Sequence, residues 1–170
     1  MFDDAVTNDM SEYITVSGSS TARVCEDGNK NKSYTVDCGY VDNDISVVLP
    51  SYAPSDKYCL QFDIRQEGAP FGGKIELTTS KGIVYEAFKI DEAGTLRTGD
   101  DEREICSASG SRFKTVSLFF DNILKTYSVM EGGRLVVSKK PMSLAVSDIV
   151  KINISTDSVG EKSTLFLDNI

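Results

Sequence analysis

The chain of 170 residues contains no histidine and no tryptophan. Histidine is the commonest general base and metal ligand at neutral pH, so its absence excludes Ser-His-Asp triads and histidine-based zinc sites. Tryptophan offers the largest aromatic face for stacking, so any sugar platform here falls to Tyr or Phe. No apolar run approaches the ~20 residues that a helical membrane span needs. Basic residues are in the minority, 18 against 26 acidic ones, for a net charge of −8. Such a field repels nucleic-acid phosphates and anionic membranes, and the only adjacent basic pair is Lys139-Lys140. Neither nucleic acid nor membrane is therefore expected as a partner. The four cysteines, Cys25, Cys38, Cys59 and Cys106, form no C-x-x-C pair, which argues against a zinc site or a thioredoxin-like motif. Two readings stand: four small buried hydrophobes, or a Cys25–Cys38 disulfide across a hairpin in an exported protein.

What is present is alternation. Apolar and polar residues alternate through Phe113–Asp121 and again around Glu131-Gly132-Gly133, the period by which a strand buries one face and wets the other. The Gly pair supplies the positive φ of a tight hairpin. Short strand-like runs follow one another from Tyr13 to the end, punctuated by Gly, Asn, Asp, Ser and Pro, and no window carries a helical stripe over three turns. The fold expected is all-β, a two-sheet antiparallel sandwich or barrel. Tyr58, Leu60, Phe62 and Ile64 are assigned to the core, opposite Cys59, Gln61, Asp63 and Arg65. Ile75 and Leu77 lie opposite Lys74 and Glu76; Val84, Phe88 and Ile90 lie opposite Tyr85 and Lys89. Val116, Leu118, Phe120, Val150, Ile152 and Ile154 complete the expected core, each large side chain contributing roughly 1.5–3 kcal/mol. Residues 1–170 read as one module cut from a longer multidomain parent, because the chain begins without a secretory leader and stops on a strand-like run.

Three segments carry a resemblance. Val116-Ser-Leu-Phe-Phe-Asp121 runs into Thr126-Tyr-Ser-Val-Met-Glu-Gly-Gly-Arg-Leu-Val136; Leu165-Phe-Leu-Asp-Asn-Ile170 closes the chain; Phe2-Asp3-Asp4 opens it. Together the pattern resembles carbohydrate-binding-module-like and concanavalin A-like (laminin-G-like) jelly-roll domains. The resemblance implies an extracellular or cell-surface β-sandwich whose partner is a polysaccharide or oligosaccharide. It also implies a structural Ca2+ where the N-terminal acidic residue, Asp3 or Asp4, meets Asp168 of the last strand.

A sugar site needs an exposed aromatic beside hydroxyl-gripping polar groups. On strands read as neighbours, Tyr85 is the expected platform with Asp63, Arg65 and Glu76 around it, and Tyr127 is a second platform. The bland alternative is a solvated sheet face. Tyr40, Tyr52 and Phe71 lie in turn-rich segments where sandwich modules also bind. Catalysis finds little support. The Glu-x-Asp-x-x-Glu arrangement of jelly-roll glycosidases is missing, a lyase would need a Tyr base, and Asp100-Asp101-Glu102-Arg103-Glu104 reads as a solvated loop. The function expected is a noncatalytic carbohydrate-binding module that targets other domains of its parent chain to a glycan; the alternative is a structural or adhesion domain.

Overall fold

The computed structural model describes residues 14–17, 22–26, 32–40, 42–49, 56–142 and 149–168, with 14–17, 22–26, 32, 34 and 58 described through their backbone. Among these residues fourteen strands form two antiparallel sheets and no helix. One sheet runs in spatial order β1 (Ile14–Ser17), β4 (Asn43–Val48), β13 (Ile149–Thr156), β6 (Gly73–Thr79), β7 (Val84–Ile90), β8 (Thr95–Thr98) and β9 (Glu104–Ser107). The other runs β12 (Arg134–Pro141), β11 (Thr126–Glu131), β10 (Lys114–Asp121), β5 (Lys57–Gly68), β14 (Ser163–Asp168), β3 (Lys32–Asp37) and β2 (Ala22–Glu26). They are called here the β6 sheet and the β10 sheet. The chain passes between them at β1–β2, β3–β4, β4–β5, β5–β6, β9–β10, β12–β13 and β13–β14, the winding of a jelly-roll sandwich. The fold expected from alternation is the fold found.

Each sheet contributes its apolar face to a shared core. Leu60, Phe62, Ile64, Val116, Leu118, Phe120, Leu165 and Leu167 of the β10 sheet meet Ile45, Ile75, Leu77, Phe88, Ile90, Ile152 and Ile154 of the β6 sheet. Aromatic rings clasp the two layers edge to face. Phe62 and Phe88 lie 5.7 Å apart between centroids, and Tyr85 and Phe120 lie 6.2 Å apart. This geometry adds attraction beyond the area removed from water. The β11–β12 hairpin turns on Gly132 and Gly133, with φ of 54° and 83°, as the Gly pair requires.

The alternation breaks at one place that matters. Ile75 pairs with Phe88, but the next residue, Glu76, pairs with Glu86, so Ala87 is an extra residue in β7. This β-bulge reverses the inside–outside order upstream of it. Tyr85, expected outside, is turned into the core at 5% exposure, and Val84, expected inside, is exposed. The sequence reading also missed β9, because its acidic approach masks a strand with only two buried residues, Ile105 and Cys106.

The cysteines resolve against the disulfide. Cys38, Cys59 and Cys106 are free thiols, and Cys38 Sγ donates to the Val36 carbonyl at 3.3 Å. Strand register explains why. Cys25 lies opposite Ser33, five residues from Cys38, a separation of roughly 16 Å along an extended strand.

The core assignment yields a stability contrast. Phe88→Ala should lose about 3–5 kcal/mol in urea unfolding, whereas the outward Phe119→Ala should stay within about 0.5 kcal/mol. Equal losses at both sites would contradict the division into faces.

Candidate functional site

The residues expected to share one sugar site fall on three different surfaces. Asp63 and Arg65 stand on the outer face of the β10 sheet, Glu76 on the outer face of the β6 sheet, and Tyr85 and Tyr127 between the sheets. The physical reason is topological: β5 and β6 are consecutive in sequence yet belong to opposite layers. Arg65 is occupied by its neighbours. Its guanidinium sits 3.9 Å from the Phe166 ring centroid and 5.1 Å from that of Phe113, and it pairs with Glu67. This is a cation–π stack that fastens β5 to β14. Phe71 is fully buried, with its carbonyl bonded by Gln66 Nε2 at 3.1 Å, so it anchors the core edge. Tyr40 is exposed, and Tyr52 lies outside the described residues.

Tyr85 and Tyr127 point their hydroxyls toward the acidic loop after β8. Tyr85 Oη donates to Asp100 Oδ2 at 3.2 Å. Tyr127, only 2% exposed, turns its hydroxyl toward Thr98, a contact that falls short of hydrogen-bond geometry and lowers the phenol only slightly against its burial. Burial, reinforced by Asp100, pushes the Tyr85 phenol well above its ordinary range; burial, then Asp100 and Asp101, pushes Tyr127 up to about 12. Neither ring can stack on a sugar, and neither phenol is poised to lose a proton as a lyase base would. The loop itself, expected to be a solvated charge run, is exposed from Asp100 to Glu104, and several of its charges are paired. Asp101 accepts from Thr98 and pairs with Lys140 at 2.6 Å, and Lys140 and Thr98 hold its carboxyl below the usual range.

An open trough lies on the outer face of the β6 sheet, about 360 Å3 in volume and bounded by the charged groups of Lys74, Glu86, Lys89, Asp91, Arg97 and Glu102. Strand register builds it. Ser155 of β13 lies opposite Lys74 of β6, Lys74 opposite Lys89 of β7, Lys89 opposite Arg97 of β8, and Arg97 opposite Glu104 of β9. The Ala87 bulge puts Glu86 and Lys89 together on this side. Three like charges in adjacent strands would repel, and each is neutralised. Lys74 Nζ meets Glu76 at 2.7 Å; Lys89 Nζ meets Glu102 at 2.9 Å and Glu86 at 3.7 Å; Arg97 Nε meets Asp91 at 2.8 Å. Asp91 also accepts the Ala93 and Thr95 amides at 3.0 and 2.9 Å, fixing the β7–β8 turn. Burial opposes ionisation of Asp91, but Arg97 and these amides outweigh it and hold the carboxyl low; Lys89 does the same for Glu102. Glu102 adopts a left-handed φ of 54° and is tied down by Arg97 Nη1, which donates to its carbonyl at 3.2 Å. Sequence reasoning named Lys74, Glu76 and Lys89 as outward polar residues but missed Asp91, Arg97 and Glu102. The signal available was the charge spacing around Gly94, legible only once β7 and β8 are known to be a hairpin.

For the expected calcium, Asp168 lies directly opposite Asp63 across β14 and β5, while Asp3 and Asp4 lie outside the described residues. Among the described residues no group of three Cys, Asp or Glu converges as a metal shell. A hard cation takes six to eight oxygens, so these two carboxylates alone do not build the site.

No protein-family model matches the chain, and no curated protein matches it in sequence. Solved structures do match in shape. A sialidase superposes with a TM-score of 0.70 at 12% identity, over 99% of this chain and 17% of that one. A Bacteroides ovatus mixed linkage glucan GH16 protein solved with a bound product gives 0.63 at 7% identity, over 94% and 95% of the two chains. The carbohydrate recognition domain of Emp46p, in a metal-free form, gives 0.56 at 9% identity, over 98% and 96%. The chain thus spans about a sixth of the sialidase (17%) but nearly all of the Emp46p domain. At these identities the likeness establishes the fold alone, the jelly-roll β-sandwich expected from the sequence.

The two buried phenols should respond differently to loss of the hydroxyl. Tyr85→Phe should cost about 0.5–1.5 kcal/mol through its bond to Asp100, while Tyr127→Phe should be neutral or stabilising. The reverse ranking in urea melts would contradict the hydrogen-bond assignment. The lowered carboxyls of Asp91, Asp101 and Glu102 set a pH dependence. Their contribution is complete above the ordinary carboxylate range, about pH 4, and is lost as pH falls through their lowered folded values. The urea midpoint should therefore decline below about pH 4; an unchanged midpoint at about pH 3 would refute the pairing.

Proposed function

We propose that this chain is a noncatalytic carbohydrate-binding module that holds a neutral polysaccharide in the trough of the β6 sheet. Weak, reversible contact there would keep a larger enzyme or surface protein near its glycan and raise the local substrate concentration. The observation that carries the reading is the in-register row Lys74–Lys89–Arg97, each cation hydrogen-bonded to a carboxylate. A sugar hydroxyl both donates and accepts, so a lattice of alternating ammonium, guanidinium and carboxylate groups offers it partners of both kinds. Neighbouring strands stand ~4.8 Å apart, so a polyhydroxylated chain laid across them meets a polar group at each step. The lining carries more carboxylates than cations, Glu86, Asp91, Glu102 and Asp157 against Lys74, Lys89 and Arg97, so the trough does not attract anions.

The electrostatics of the carboxyls support binding rather than hydrolysis. A glycosidase acid must stay protonated near neutrality, which requires a raised pKa. Asp91 and Glu102 are held in the opposite direction by Arg97 and Lys89. The likeness to the Emp46p carbohydrate recognition domain, over nearly the whole of both chains, supports the same reading.

Affinity electrophoresis on gels containing neutral polysaccharides tests it. At least one such gel should retard the protein, and Lys89→Ala should weaken that binding about tenfold, the equivalent of one charge-assisted hydrogen bond. The melting temperature should hardly change, since Lys89 is solvent-accessible. Unretarded migration on every neutral polysaccharide would reject the proposal in favour of a structural or adhesion role.

A further inference from the structure

The opposite outer face carries a feature that the trough lacks. Phe119 stands in mid-strand on β10, 40% exposed, with Cys59 of β5 and Ser128 of β11 as its cross-strand neighbours. It forms part of an open groove of about 400 Å3, bordered by Lys57, Asp121, Leu124, Ser128 and Lys139. That volume falls within the range of small-molecule sites. An aromatic at an outward position, beside a hydroxyl and two ammonium groups, is the arrangement sought for a sugar ring and not found around Tyr85.

In the groove cations outnumber carboxylates, Lys57 and Lys139 against Asp121, the reverse of the trough. Lys57 pairs with Asp121 at 3.2 Å, whereas Lys139 has no ion-pair partner among the described residues. Lys139 also holds a left-handed φ of 45°, at an irregularity in the β11–β12 ladder. Its amide is fixed by donation to Ser128 Oγ at 2.9 Å. Left-handed backbone is disfavoured for lysine, and such strain gathers where a side chain must be placed for a purpose. Here it sets an uncompensated cation beside an exposed aromatic face, on a protein whose net charge is −8.

We infer that this groove is a second glycan site, specific for an acidic sugar. The ring of a hexuronate stacks on Phe119 while its carboxylate pairs with Lys139. The inference rests on the glycan-binding reading only for its class of ligand; the residues are separate from the trough.

Calorimetric titration with tetragalacturonate and with its methyl ester tests it. The free acid should bind at least fivefold more tightly than the ester at low salt, and added salt should erase the difference. Lys139→Gln should abolish the preference for the acid. Phe119→Ser should weaken both ligands at least tenfold, with Phe119→Tyr restoring them. Equal affinity for acid and ester, or unchanged binding by Phe119→Ser, would overturn the inference. So would association with phosphatidylserine vesicles that Leu124→Ser abolishes, since the exposed Leu124 and Ile123 would then mark a membrane contact. Failure of the wild type to bind tetragalacturonate removes this site alone, because the trough is read separately on neutral gels.

Discussion

The packing of Phe62 against Phe88 and of Tyr85 against Phe120 is the constraint from which the rest of the molecule follows. These rings join two layers whose strand ladders, among the described residues, run within each sheet and not between them. With period two in every strand, fixing which residues face the partner layer also fixes which are left for solvent. The charged row Lys74–Lys89–Arg97 and the exposed Phe119 are therefore by-products of core registration. Neither could move to the other face without a one-residue slip that would expose Phe88 or Leu118. Sites built this way are rigid, because the side chains spring from strands rather than from loop tips.

The Ala87 bulge refines that constraint. Without the extra residue, strict alternation from Phe88 would carry Glu86 inward and Tyr85 outward. With it, Phe88 and Tyr85 both enter the core, and Glu86 joins Lys89 on the trough side. One inserted residue thus supplies an aromatic to the core and a carboxylate to the polar lattice. Bulges recur beside binding sites because they re-aim side chains locally while leaving the flanking register intact.

Much of this was legible in the sequence, and the boundary has a physical cause. Strict alternation located β5, β6, β10 and β13 and most of their buried faces, and the Gly pair located the β11–β12 turn; Val150, expected in the core, is replaced there by Ile149 because the β13–β6 register shifts between Ile149 and Lys151. Phe62, Ile64, Leu118, Phe120 and Ile152 all lie in the core as expected. What alternation cannot carry is information about the partner strand. Tyr85 was misassigned because a bulge is defined by two residues facing one across a ladder. Asp63, Arg65 and Glu76 were grouped because consecutive strands usually neighbour one another, yet β5 and β6 lie in different layers. The Cys25–Cys38 pairing failed for the same reason: the hairpin was recognised, but the register that sets Cys25 opposite Ser33 was not.

The two outer faces differ in how charge is managed, and that difference is what would separate the ligands proposed for them. In the trough every cation of the central row is bound to a carboxylate, so an approaching anion would have to displace an existing partner. A neutral hydroxyl need only share one. Around Phe119 the reverse holds: Lys139 has nothing to surrender, and the apolar ring beside it lowers the local dielectric in which its charge acts. The overall −8 of the chain works against an acidic ligand at long range, but screening confines that penalty to roughly 8–10 Å at physiological salt. At contact distance the nearest charges decide the sign. Two surfaces of one sandwich can thus select different sugars, since the discriminating groups belong to opposite layers and share no strand.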